Sequence, residues 1–176
     1  MRFLVCSDSH GRVSHLMEMT EQANLCRFPI DGLLFLGDGL ADLTYLDLGY
    51  TPIIAVSGNC DLFRSSAKRE EVLVMDGYRI LMMHGHTHGA HSGIERMVAY
   101  ADEIGADILL FGHTHVPQER YFPSGSEVGG VTLKKPLYVL NPGSIGSARD
   151  GSREGFGTLE LTRSGVVWNT VGLGGV

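Results

Sequence analysis

Residues 84–91 read HGHTHGAH, four histidines within eight positions, and residues 112–115 read GHTH, a copy of residues 85–88. Imidazole nitrogens at this density suit a metal site. The internal copy raises the question of which of them would hold an ion and which only resemble those that do. Other residues with ligand chemistry sit at comparable places. Asp8-Ser9-His10 follows the apolar run RFLVC (2–6), Gly37-Asp38 follows GLLFL (32–36), and Gly58-Asn59-Cys60-Asp61 follows IIAV (53–56). His84 follows YRILMM, Gly112-His113-Thr114-His115 follows DILLF (107–111), and Asn141-Pro142-Gly143-Ser144 ends LYVLN (137–141). One His or Asp after a strand is an ordinary turn residue. Six strand ends with such groups point to a single convergent site, because ligands of α/β sheets bind outside the carboxyl ends of strands. The glycines beside them let backbone approach a bound ion or phosphate.

The elements that must position these residues can be read from periodicity. RFLVC is a buried strand. Val13, Leu16, Met17, Thr20 and Ala23 then recur at helical spacing, with Ser14 as the expected cap. GLLFL and IIAV are two more strands, and the alternation with crossovers implies parallel pairing. The pattern changes at EVLVMDGYRILMM, where Asp76-Gly77 between two apolar runs marks a hairpin. Ser92-Gly93-Ile94-Glu95 has the form of a capping box, followed by a helical face of Ile94, Met97, Val98, Ala101 and Ile104. DILLF and LYVLN are further buried strands, residues 123–136 read as a surface loop, and GFGTLELT and GVVWNTV around RSG read as a closing hairpin. The expected fold is one α/β domain over residues 1–176, with a parallel half and an antiparallel half packed as two sheets with helices outside.

Composition narrows the function. A chain of 176 residues with 43% hydrophobic content fits one folded domain. Its apolar runs are strand-sized, which argues against a membrane span, and MRFLVCSDSH reads as a first strand rather than a signal peptide, so a cytoplasmic protein is expected. Cys6, Cys26 and Cys60 form no CxxC pair and no disulfide framework, and Cys6 and Cys26 read as small core residues. A net charge of −6 without a basic cluster argues against an extended nucleic-acid surface but leaves room for a small nucleotide-like substrate.

The order Asp-x-His, Gly-Asp, Gly-Asn-x-Asp, His, Gly-His-x-His resembles the calcineurin-like metallophosphoesterase superfamily. The GNCD form of the third block and the late NPGS look like its small prokaryotic phosphodiesterase branch. The resemblance covers residues 2 to about 161 and implies a two-layer sandwich of mixed β-sheets flanked by helices. It also implies two divalent ions. Asp8, His10, Asp38 and His115 would hold one, Asp38, Asn59, His84 and His113 the other, and Asp38 would bridge them. His86 matches a second histidine of this branch and is placed near the site. His88 and His91 have no such match and read as loop and helix-cap residues, and His15 reads as a surface residue of the first helix.

Imidazole, carboxylate and amide oxygen donors suit manganese, iron, zinc, cobalt or nickel, with manganese the first expectation. Two ions about 3.5–4 Å apart make a bridging hydroxide near neutral pH and clamp a phosphate for in-line attack. The acidic and amide ligands do not neutralise two divalent ions, so the site attracts an anion although the chain is acidic. Asp38, Asn59 and His86 are the catalytic candidates, and Asn59, Cys60, Asn141, Gly143 and Ser144 the substrate-binding ones. Asn141-Pro142-Gly143-Ser144 reads equally as an ordinary turn. Many members of the family carry a histidine where this chain has Cys60, and that histidine helps protonate the leaving group. A thiol is a poorer general acid at neutral pH, and the branch with GNCD looks like phosphodiesterases, so the departure shifts the expectation toward phosphodiesters. A phosphomonoesterase or nucleotide pyrophosphatase is the alternative. A protein-sorting scaffold of the same fold also shares the length and the HGH, GHTH and NPGS segments, but it lacks the histidine of the first block. The family often forms dimers or larger assemblies, so a homo-oligomer is a further expectation.

Overall fold

Strand β1 (Arg2–Cys6) sends Phe3 and Val5 to one face and Leu4 and Cys6 to the other, and all four are buried. A strand buried on both sides needs cover on both sides, and the architecture follows from that need. The computed structural model describes residues 1–25, 29–61 and 66–174. After β1 come α1 (Val13–Leu25), β2 (Gly32–Phe35), β3 (Ile53–Ala55), β4 (Glu70–Met75), β5 (Tyr78–Met83), α2 (Glu95–Ile104) and β6 (Ile108–Phe111). Then follow β7 (Pro117–Phe122), β8 (Glu127–Val128), β9 (Val131–Thr132), β10 (Leu137–Pro142), β11 (Gly155–Thr162) and β12 (Gly165–Gly172).

Two five-stranded sheets form, in the orders β12-β11-β1-β2-β3 and β4-β5-β6-β10-β7. In the first, β1, β2 and β3 run parallel, while β11 and β12 are antiparallel. In the second, β5, β6 and β10 run parallel between antiparallel edges β4 and β7. Phe3, Val5 and Leu34 of the first sheet pack with Ile80, Met82, Leu110 and Leu140 of the second in one buried cluster. A second cluster joins α1 through Leu16 and Met19 to Leu4, Cys6, Leu33 and Phe35. A third joins α2 through Met97, Val98 and Ala101 to Leu81, Leu109 and Val139. The result is a sandwich of two mixed sheets with a helix on each outer face, as expected.

Several local expectations are corrected. Both sheets are mixed, so the chain does not divide into a parallel and an antiparallel half. Helix α1 begins at Val13, which puts Ser14 in its first turn, and its buried stripe is Leu16 and Met19 while Met17 is 51% exposed. No side-chain cap bond forms at the start of α2, where Ile94 holds the cap position, so the capping box is not made. Residues 123–136 are not all loop: β8 and β9 pair as a small antiparallel ribbon. Strand β7 escaped notice because Glu119 and Arg120 break the apolar run, which an exposed edge strand tolerates. The hairpin at Asp76-Gly77 forms as expected, with both residues at positive φ. The reading of Cys26 as a core residue lies outside the described residues, whereas Cys6 is fully buried.

Strand β11 backs β1 through Gly157, paired with Val5. A Cβ at Gly157 would lie 2.1 Å from the buried Trp168 ring. Gly157→Ala is expected to destabilise the fold by about 1–3 kcal/mol through overpacking. The check is a lower urea midpoint with unchanged slope.

Candidate metal centre

All six polar strand ends lie at one edge of the sandwich, and hydrogen bonds stitch the two sheets together there. The Asp8 amide donates to the Gly37 carbonyl and the His10 amide to the Asp38 carbonyl, joining the loops after β1 and β2. From the other sheet, the Gly112 amide donates to the His84 carbonyl, and the Ile145 and Gly146 amides donate to the Ser7 and Asp8 carbonyls. Two side chains make the same crossing. His84 Nδ1 donates to the Leu36 carbonyl at 2.8 Å, and the His113 amide donates to Asp8 Oδ2 at 3.0 Å.

These bonds bring the expected ligands together. His115 Nε2 lies 3.2 Å from Asp8 Oδ1 and 3.3 Å from His10 Nε2. His84 Nε2 lies 3.4 Å from Asp38 Oδ2, 3.2 Å from Asn59 Oδ1 and 3.2 Å from His113 Nδ1. Asp38 Oδ2 is also 3.9 Å from His10 Nε2, so it faces both histidine groups. Each of the two most buried imidazoles is aimed by its far nitrogen, His84 by the Leu36 carbonyl and His115 by the Ser147 carbonyl, which leaves Nε2 turned inward. Donor groups of the right type for an ion occur as Asp8–His10–His115, Asp8–Asp38–His84 and His10–Asp38–Cys60.

Burial and charge favour a cation here. Asp8 is fully buried, and its Oδ1 has no hydrogen-bond partner although it points among three imidazoles. A buried carboxylate oxygen is costly unless it is paired. Burial opposes charge on His84, but its bond to Asp38 and the Asp8 and Asp38 charges outweigh that and raise its pKa. The Asp8 carboxylate beside it likewise raises that of His115. Burial raises the Asp38 carboxyl, yet His84 and the Cys60 amide outweigh it and hold Asp38 well below the usual carboxylate range. Burial and the neighbouring His84 and His91 push His113 down to about 4. The carboxylates thus draw positive charge into the cluster. The orphaned Asp8 oxygen and the mixed oxygen and nitrogen donors fit divalent cations.

Other expected site residues differ in placement. His86 is half-buried, its ring 5.4 Å from that of His84 and 6.1 Å from that of His113, and its buried Nδ1 has no partner. Cys60 is exposed, its amide donates to Asp38 Oδ1 at 2.7 Å, and its Sγ accepts from Asn59 Nδ2. Partial burial and the bond of the thiol to Asp38 push it up to about 11. Asn141 and Ser144 are both fully buried with their polar atoms committed. Asn141 Nδ2 donates to the Gly112 carbonyl and to Thr114 Oγ1, and its Oδ1 accepts from the Gly143 amide. Ser144 Oγ donates to the Asp8 carbonyl and accepts from the Gly146 and Ser147 amides. These groups, with Gly143, build the turn instead of offering donors to a phosphate, which corrects the substrate-binding expectation. His91 is not merely a cap residue, because its ring stacks 4.4 Å from that of His113, and His88 stacks on Tyr100. His15 donates from Nδ1 to the Ile145 carbonyl at 2.7 Å and so helps hold the same turn.

Two supporting residues went unrecognised. Asp61 accepts from the amides of Asp38, Gly39, Leu40 and Gly58. Asp42 Oδ2 accepts from Ser9 Oγ and the Gly11 amide. Asp61 had a signal, as the last residue of the Gly-Asn-x-Asp block. Asp42 had none, because it lies in the 3-10 turn Asp42–Tyr45 away from any strand end. Asp61→Ala is expected to lower divalent-metal affinity by about 10- to 100-fold, as loss of an outer support does. Manganese titration read beside thermal unfolding checks this. Unchanged affinity in a folded variant would remove Asp61 from that role.

The family enters on this geometry. A relative from Bacillus subtilis (strain 168), called "Probable metallophosphoesterase YsnB", is 33% identical over 161 residues, covering 92% of this chain and 85% of its own. Phosphodiesterase YfcE of Escherichia coli (strain K12) is 26% identical, covering 91% of this chain and 88% of its own. Among solved structures, a Vps29 variant from Entamoeba histolytica superposes with a TM-score of 0.67 at 25% identity, covering 96% of this chain and 90% of its own. The model of the calcineurin-like phosphoesterase superfamily domain matches residues 1–164, and the chain belongs to that superfamily of metal-binding hydrolases.

Proposed function

We propose that the protein is a metal-dependent phosphodiesterase with a two-metal site. The observation that carries this reading is the wholly buried, unpartnered Asp8 Oδ1 at the centre of a cluster of imidazole and carboxylate donors drawn from both sheets. Asp8, His10, Asp38 and His115 would hold one ion and Asp38, Asn59, His84 and His113 the other, Asp38 being common to both sets. When bound, two such ions activate water and neutralise the charge of a phosphate. Asp38 would act by holding the ions, and Asn59, which turns its oxygen toward His84 and its nitrogen toward Cys60, would help orient the phosphate. His86 faces the His84–His113 side with one nitrogen unpaired and is placed to donate to a phosphate oxygen. Manganese is the first candidate metal, and a small phosphodiester or nucleotide-like ester the candidate substrate.

The diester preference is supported by the thiol at position 60 and by the likeness to a named phosphodiesterase. The fold likeness to Vps29 supports a second reading, a binding scaffold. It leaves unexplained why two carboxylates and four imidazoles should be gathered and partly buried, since such groups cost stability when uncompensated.

Chelated protein is expected to hydrolyse a chromogenic phosphodiester only after manganese is added, and Asp38→Asn to lose about 100-fold or more of that rate. Faster cleavage of the matching monoester under the same metal would replace the diesterase by a phosphomonoesterase. Absence of hydrolysis with two ions bound per chain would overturn the enzyme reading in favour of the scaffold.

A further inference from the structure

We propose that Cys60 is a thiol ligand of the metal centre on its His10–Asp38 side, raising that side's affinity for thiophilic divalent ions such as zinc or cobalt relative to manganese. The inference rests on the two-metal reading and deepens it by naming an eighth donor.

The cluster itself is the first observation. Cys60 Sγ, a His10 ring nitrogen and an Asp38 carboxylate oxygen all lie within 4.8 Å of one another. Ligand atoms around one ion are separated by about this much or less, given metal–ligand bonds of about 2.0–2.3 Å. The sulfur is held in place rather than swinging freely. The Cys60 amide is fixed on Asp38 Oδ1 at 2.7 Å, and Sγ accepts from Asn59 Nδ2 at 3.3 Å. Asn59 is itself anchored on the His84 side through Oδ1. The same Asp38 carboxylate therefore receives the Cys60 backbone on one oxygen and turns the other toward His84 and His10.

The second observation is independent of the thiol. Asp8 Oδ1 is fully buried, lacks a hydrogen-bond partner, and points into the adjoining Asp8–His10–His115 group, 3.7 Å from His10 Nε2 and 3.2 Å from His115 Nε2. Such an oxygen calls for a cation beside His10, the residue that this group shares with the Cys60 cluster. Oxygen and nitrogen donors already follow the general affinity order of divalent ions, and a thiolate adds a further preference for the softer ones. Coordination breaks the Sγ–H bond, releases the proton to solvent, and forms a sulfur–metal bond from the sulfur electron pair, with no change in oxidation state. Cys60 is exposed, so solvent reaches the sulfur to take that proton.

The test uses cobalt, whose spectrum reports its ligands directly. Cobalt is added to the full-length chelated protein and to Cys60→Ser, and the visible ligand-field bands are recorded with the near-ultraviolet sulfur-to-cobalt band. The proposal expects both bands in the natural protein. In Cys60→Ser the visible bands should persist, showing an intact metal centre, while the sulfur band is lost. The ratio of zinc to manganese affinity should also fall by about tenfold or more in that variant. Visible bands without a sulfur band in the natural protein, or a sulfur band that survives Cys60→Ser, would overturn the inference and leave the metal centre standing. No visible bands in the natural protein would overturn both.

Discussion

Two carboxylates set the terms for this structure. Asp8 and Asp38 stand at the ends of adjacent parallel strands, almost completely out of water, and share His84 between them. Negative charge so placed is unfavourable unless positive charge is supplied close by. Imidazoles supply part of it, as the raised pKa values of His84 and His115 show. They do so imperfectly, because their donors leave Asp8 Oδ1 without a hydrogen bond. A divalent ion satisfies that oxygen and the imidazole nitrogens together. The demand is built into the fold, since the two aspartates cannot move apart without breaking the pairing of β1 with β2.

Holding the donors in this geometry strains the backbone in identifiable places. Among the described residues, the non-glycine positions with positive φ are Asp8, His10, Asp38, Asp76, His113, His115 and Asp150. Five of these seven are in the proposed ligand set, which ties the unusual conformation to the site. Left-handed backbone is costly for side-chain-bearing residues and persists only where surrounding bonds over-determine it. Here Asp61, Asp42, Asn141 and Ser144 do so, by accepting or donating to the amides and carbonyls of the ligand loops. Two glycines complete the packing. A Cβ at Gly58 would lie 2.1 Å from Asp38 Oδ1, and one at Gly112 would lie 2.0 Å from Ser7 Oγ and 3.0 Å from Asp8 Oδ2.

This explains which features were legible in the sequence. Strands β1, β2, β5, β6 and β10 are short apolar runs because both their faces are covered, and each is followed by the residue type that the site uses. The strand ends, and so the convergence of a site there, were readable from that punctuation, while the choice of donors among them came from the family resemblance. The supports were harder to read. Asn141 and Ser144 have the same chemistry whether they bind a phosphate or a neighbouring carbonyl, and only their complete burial decides. Strand β7 and the β8–β9 ribbon cover little core and carry little apolar signal. Position 91 is separated from His113 by 22 residues and a helix, so no local pattern could show that the two rings touch.

The Gly-Asn-Cys-Asp segment shows how such a site can change its chemistry while its frame stays fixed. Gly58 gives up its side chain so that Asp38 can approach, and Asp61 gathers four amides. Both contributions pass through backbone or absent atoms and are insensitive to what stands between them. Asn59 reaches the His84 side through its oxygen. At position 60 the backbone amide already performs the structural task, binding Asp38 Oδ1, and the side chain is exposed. That side chain can therefore vary while the backbone bond to Asp38 is kept. On the proposed reading, an imidazole or a thiol at this point would face the same metal site. The choice between them would alter proton donation and metal preference together, because both would depend on one exposed group placed beside His10 and Asp38.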